Sequence, residues 1–225
     1  MPKIKMPKSS PSIDMTPMVD LAFLLVTFFM LSANFRESEP VNVTTPSSTA
    51  DVIIPKNIIM VTVDPGGHLF FNISGLDVRR ELLLAMGSKY KVNFTPEEVK
   101  SFTIMTSFGS AMKDLPKYID MSAEERKRLV EVPGYLGIPA DTTKSNELRD
   151  WLSLGNSLAM EYGKANYEEA LTKDKNALAD DFKPKFILKV DGKAPYIYAK
   201  NVIDIFRALN LNNLNFVTNF EERPK

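Results

Sequence analysis

The chain has 225 residues, enough for one or two domains, with 44% hydrophobic residues, 25% charged residues and a formal net charge of zero. That balance gives no basic field for nucleic acid or an anionic membrane surface. There is no cysteine and one histidine, which excludes disulfides and thiol catalysis and deprives metal clusters and Ser-His-Asp triads of their usual parts.

The first residues, MPKIKMPKSSPS, carry Lys3, Lys5 and Lys8 and no acid, and Pro2, Pro7 and Pro11 disfavour a regular helix there. An apolar run follows from Leu21 to Ala33, interrupted only by Thr27 and Ser32. Counted from Met15, the segment reaches roughly 20 residues, about 30 Å as a helix, enough to cross a bilayer core. Pro17 fits the first turn of such a helix, and Asp14 or Thr16 can cap it. Thr27 and Ser32 are tolerated by bonding back to helix carbonyls.

Three readings of this segment compete. One is a buried core helix. The second is a cleaved signal peptide, with a basic n-region, an apolar h-region and Ala33 near a cleavage point. Leu31 suits that cleavage site poorly, and an acid directly before an h-region is unusual. The third is a permanent span with a cytoplasmic N-terminus, the orientation the three lysines favour.

Asp20 stands at the start of the apolar run. An ionisable group inside a span costs a few kcal/mol or more, and a low dielectric disfavours its charged form. Either it exchanges protons there, or it sits solvated at headgroup level as an acid of the helix's first turn. Asp20, Leu24, Thr27 and Leu31 follow helical spacing and share one face. A span with such a polar stripe favours a protein partner or a wet channel over lipid.

The stretch IDMTPMVDLAFLLVTFFM resembles the span signature of the ExbD/TolR family, D-x-T-P-hydrophobic-hydrophobic-D followed by an apolar run. Asp14, Thr16, Pro17 and Asp20 fall on that pattern. The resemblance implies a proton-driven inner-membrane motor subunit, distantly related to the flagellar stator protein MotB. It makes Asp20 the proton-translocating residue, Thr27 its companion on the same face, and Asp14, Thr16 and Pro17 the helix-start residues. It implies two copies of the span inside a ring of a multi-span ExbB/TolQ-like partner. A periplasmic partner then receives the energy, TonB for ExbD and TolA for TolR. Peptidoglycan is carried as a further candidate partner. Neither metal nor cofactor is implied, and no enzyme. The N-terminus is expected in the cytoplasm and the C-terminal domain in the periplasm. The favoured function is energising TonB-dependent outer-membrane transport. A TolR-like role in envelope maintenance is the first alternative. A secreted periplasmic binding protein with a cleaved signal peptide is an alternative of a different class.

After the span, residues 36–56 are rich in Pro, Ser and Thr and read as an extended linker with short β-prone pieces such as Val41 to Val43. The Leu-Pro pair often found there in the family is absent. NIIMVTVDPGGHLFFN reads as a β-hairpin, Ile58 to Val63 and Leu69 to Phe71, turning at Asp64-Pro65-Gly66-Gly67. His68 reads as a solvated turn residue, with a pH switch as the rarer alternative. SGLDVRRELLLAM reads as a helix with Val78, Leu82, Leu83 and Met86 on its apolar face.

Near the C-terminus, Phe186 to Val190 reads as a strand and AKNVIDIFRALN as a helix with Val202, Ile205, Phe206 and Leu209 inward. Leu214 to Phe220 reads as a last strand, and Asp191 as a turn residue. Between these halves residues 91–185 look helical and exceed the family's usual connection. Thr95 to Glu98 and Ser122 to Glu125 are capping boxes. Leu148, Trp151, Leu152, Leu158 and Tyr162 are loosely helical, with Gly155 and Gly163 as breaks. Trp151 reads as a core anchor. The insert reads as a partner-docking module in preference to a cover for an exposed sheet edge.

The expected layout is a cytoplasmic tail at 1–13, a transmembrane helix at 14–35 and a linker at 36–56. The periplasmic domain takes residues 57–90 and 186–225, with a helical insertion at 91–185. The expected fold class is membrane-anchored α+β, one N-terminal transmembrane helix plus a two-layer sheet/helix domain with a helical insert. Nucleotide-binding, HExxH and GxSxG patterns are absent from the sequence.

Overall fold

The computed structural model describes residues 15–32, 47–48, 57–132, 134–135, 137–140, 146–173, 178–211, 213–217 and 219–220. The chain divides into two compact units, residues 1–37 and residues 38–225. In the first unit the described element is helix α1, Thr16–Ser32, 17 residues long.

The second unit is mixed α+β. Strand β1 is the pair Ser47–Ser48. Strands β2 (Ile58–Val63) and β3 (Leu69–Ile73) form the expected hairpin, with β3 two residues longer than the sequence pattern suggests. Helices α2 (Leu76–Tyr90), α3 (Pro96–Ile104), α4 (Leu115–Asp120), α5 (Ala123–Val130) and the 27-residue α6 (Glu147–Lys173) follow. Strand β4 (Lys185–Val190), helix α7 (Tyr196–Ala208) and strands β5 (Leu214–Val217) and β6 (Asn219–Phe220) complete the unit.

Four strands make one sheet in the order β3-β2-β4-β5. Strands β2 and β3 are antiparallel, whereas β2–β4 and β4–β5 are parallel. The last strand read from the sequence is two pieces: β5 closes the main sheet and β6 pairs in parallel with β1. Alternation along β2 sends Ile59, Val61 and Val63 to one face, where each is fully buried. Val78, Leu82, Leu83 and Met86 of α2 share that core with Leu148, Trp151 and Leu152 of α6 and Val202, Ile205 and Phe206 of α7. Phe206 meets Phe186 of β4 edge-on, with ring centroids 5.6 Å apart.

Local chemistry sets the helix ends. Both capping boxes form: Thr95 accepts from the Glu98 amide and Ser122 from the Glu125 amide, with each glutamate returning a bond to the cap. Helix α7 closes with Asn210 in the left-handed region and the Leu211 amide donating back to the Phe206 carbonyl at 3.0 Å. The sequence reading of Gly155 and Gly163 as breaks is corrected, because α6 runs through both. Gly155 faces Phe71, Ile73 and Leu82, and Gly163 lets the Phe182 carbonyl approach the helix. Burial of one apolar stripe outweighs about 1 kcal/mol of unfavourable glycine propensity at each position.

The insert is part of the same core. Trp151 is fully buried, as expected, and lies 4.8 Å from the Phe108 ring and 5.9 Å from that of Phe71. Phe108 and Phe71 exchange two backbone hydrogen bonds, and the Ile138 amide donates to the Leu69 carbonyl at 3.0 Å. Both contacts lie on the outer edge of β3. The insert therefore covers a sheet edge, the reading that the sequence ranked second.

Candidate functional site

Helix α1 begins at Thr16. The amides of Met18 and Val19 donate to the Met15 carbonyl at 3.1 and 3.0 Å, so Met15 holds the cap position of the backbone. Thr16 is thus the first helical residue and not the cap, and Pro17 is the second, where its missing N–H costs nothing. Asp14 lies outside the described residues.

Asp20 is the fifth residue of the helix and the only ionisable side chain between Thr16 and Ser32. It stands beyond the first turn, which contains no acid. The side chains from Met15 to Met30 are exposed all round the helix, large apolar ones such as Leu21, Phe23 and Phe28 included. Among the described residues, no helix is long and apolar enough to cross a membrane.

Thr27 lies seven residues after Asp20, hence on nearly the same face. Its hydroxyl donates to the Leu24 carbonyl at 3.0 Å. The hydrogen is thereby committed to the helix backbone, and the oxygen remains an acceptor. Asp20 and Thr27 together place a carboxyl group and a hydrogen-bond-accepting hydroxyl oxygen on nearly one face of the helix.

The second unit holds polar groups at the ends of its strands. Asp64 and Asp191 follow the paired residues Val63 and Val190, and both are about 3% exposed. Asp191 is a turn residue, as expected: its carboxylate accepts the Lys193 amide at 2.8 Å. Asp64 does more than turn the chain. It accepts the His68 amide at 2.7 Å and meets His68 Nδ1 at 2.6 Å. The solvated reading of His68 is therefore corrected. Its side chain is 14% exposed, tied to a buried carboxylate and tilted against Tyr135, with ring centroids 5.6 Å apart. Gly67, with φ of 82°, completes the turn beneath the Tyr198 ring, where a Cβ would overlap it.

Two phenols stand nearby in the insert. Among the described residues, neither the Tyr118 nor the Tyr135 hydroxyl has a well-formed hydrogen bond. Burial pushes the Tyr118 phenol up to about 12, opposed by Arg126 and the Gly109 amide. Burial also raises the Tyr135 phenol, with Tyr118 and Asp64 adding to the effect. Among the described residues no cluster of His, Asp and Glu suits a metal ion.

Sequence reasoning missed Arg79, whose guanidinium donates to the carbonyls of Ile73, Thr103 and Met105 and to Asn72 Oδ1. It also missed Glu147, a buried acid accepting the Met112 amide at 2.8 Å. No local pattern marks either residue: Arg79 bonds across the β3–α2 turn and onward to Thr103 and Met105, and the partner of Glu147 lies 35 residues away.

No curated protein and no solved structure matches this chain. The family model described as biopolymer transport protein ExbD/TolR matches residues 6–221. That match takes in α1 with Asp20, the hairpin, the insert and the closing strand–helix–strand, and by it the chain belongs to the ExbD/TolR family of biopolymer transport proteins.

Proposed function

We propose that this chain is a membrane-anchored motor subunit of the ExbD kind. It couples the proton motive force, through Asp20, to a TonB-type protein that energises outer-membrane transport. The observation that carries the reading is Asp20 itself, the one ionisable side chain in an otherwise apolar, exposed helix. Helix α1, at 17 residues, is about 25 Å long. That is the lower limit of the roughly 17 to 25 residues a spanning helix needs. The proposed span covers residues 14–35, with the N-terminal lysines on the cytoplasmic side and the second unit in the periplasm.

Moving one elementary charge through the membrane field yields about 2.3 kcal/mol per 100 mV. A neutral Asp20 tolerates apolar surroundings, and an ionised one requires polar contacts. Alternation between the two states ties proton transfer to displacement against a surrounding ExbB/TolQ-like ring, which holds two copies of this span. Thr27, its hydrogen committed to Leu24, serves as an acceptor for water on the same face of the helix.

The test is purification from the membrane fraction with the N-terminus intact, together with whatever multi-span protein accompanies it. A TonB-type companion supports the reading as stated, and a TolA-type companion moves it to envelope maintenance. Cleavage after Ala33 removes Asp20 and leaves a secreted binding protein instead.

A further inference from the structure

Residues 105–114 run from α3 to α4 and form a strap along the β3 edge. Its middle is Phe108, which accepts from the Phe71 amide at 2.8 Å and donates to the Phe71 carbonyl at 3.1 Å. Its far end is held by a carboxylate. Glu147, the first residue of α6, accepts the Met112 amide at 2.8 Å although it is only 8% exposed. Met112 is itself buried.

Among the described residues, Asp114 at the end of the strap and Asp150 on α6 both repel the ionised form of Glu147. Asp150 is engaged with α2, pairing with Lys89 at 2.7 Å and accepting from the Tyr90 hydroxyl at 2.8 Å. Burial above all, then Asp150 and Asp114, hold the Glu147 carboxyl above its ordinary value of 4.5, against the Met112 amide.

We propose that the strap is an acid-tightened clasp on the β3 edge, closed when Glu147 is protonated and loosened when it is ionised. Opening carries Met112 and Asp114 away from α6, which hydrates the carboxylate and relieves its repulsion with Asp114. Closing takes up a proton. A protonated carboxyl still accepts the Met112 amide through its carbonyl oxygen, so the contact survives. The closed state binds more protons than the open one, so closure strengthens as pH falls and weakens as pH rises above the ordinary carboxyl range. Opening uncovers the backbone groups of Phe71, the kind of free edge that accepts a further strand. The clasp lies wholly in the second unit and does not depend on what α1 does.

The test is amide hydrogen exchange at Phe71 and Phe108 in the full-length protein, corrected for intrinsic exchange, between about pH 5 and about pH 7.5. Protection is expected to rise roughly three- to tenfold toward the acid end. Glu147→Gln is expected to hold high protection at every pH. Asp114→Asn is expected to raise protection at the upper end and flatten the response. A pH-independent wild type, or an unchanged response in Glu147→Gln, overturns the clasp. Should Glu147→Gln not fold, an unchanged response in Asp114→Asn overturns it equally.

Discussion

Phe71 and Phe108 are joined twice over: they exchange two backbone hydrogen bonds, and their rings pack 5.8 Å apart beside Trp151. One residue belongs to the hairpin that opens the second unit and the other to the insert. The relationship makes the insert a structural wall of the sheet. Phe108→Ala empties part of that wall and is expected to cost about 3–5 kcal/mol of stability, measured by urea denaturation. A loss below about 1 kcal/mol would show that the insert does not share the core.

Arg79 ties α2 to β3 and to the end of α3 through four acceptors, the shortest contact being 2.6 Å to the Ile73 carbonyl. Lysine keeps the charge but cannot reproduce the planar fork. Arg79→Lys is expected to lower stability by about 2 kcal/mol, read from the shift in denaturation midpoint at unchanged slope.

The two glycines of α6 are expected to respond oppositely to alanine. At Gly155 a Cβ would sit in ordinary contact with Ile73 and Phe71 at 3.4 Å. The gain in helix propensity, up to about 1 kcal/mol, then dominates and stabilises the protein. At Gly163 a Cβ would overlap the Phe182 carbonyl, so Gly163→Ala is expected to destabilise. Thermal melts of the two variants check the contrast in sign.

Alkaline pH is expected to weaken the fold through the insert's phenols. Tyr118 stays neutral in the folded state up to about 12, against an ordinary value of 10.0. A phenol raised in this way contributes stability that is complete below the ordinary value and is lost as pH rises through the folded one. The denaturation midpoint of the wild type should therefore fall above about pH 10. Tyr118→Phe should soften the decline, and an equally steep decline in the variant would assign it to other groups.

Elements governed by local spacing were legible in the sequence. Ile58 to Val63 is a β-branched run before a Gly-Gly turn, Val78, Leu82, Leu83 and Met86 recur at helical spacing, and Thr95 and Ser122 announce their helices. What depended on distant partners was not. His68 reads as exposed beside a Gly-Gly turn until Asp64 is seen folded beneath it. Gly155 and Gly163 read as breaks until the core and the Phe182 carbonyl occupy the space they leave. The insert's role turned on Phe108 and Ile138 reaching the β3 edge, pairings that no short window of sequence contains. Asp20 was legible because its oddity is local: a carboxylate in an apolar helix stands out against its immediate neighbours.

The central proposal rests on that carboxylate. The most direct measurement compares ionophore-sensitive transport in cells carrying the wild-type chain or Asp20→Asn, alongside co-purification of each with its multi-span partner. Asp20→Asn, a nearly isosteric change that cannot exchange the proton, is expected to assemble normally and to abolish energised transport. Normal energised transport by an assembled Asp20→Asn complex would contradict it.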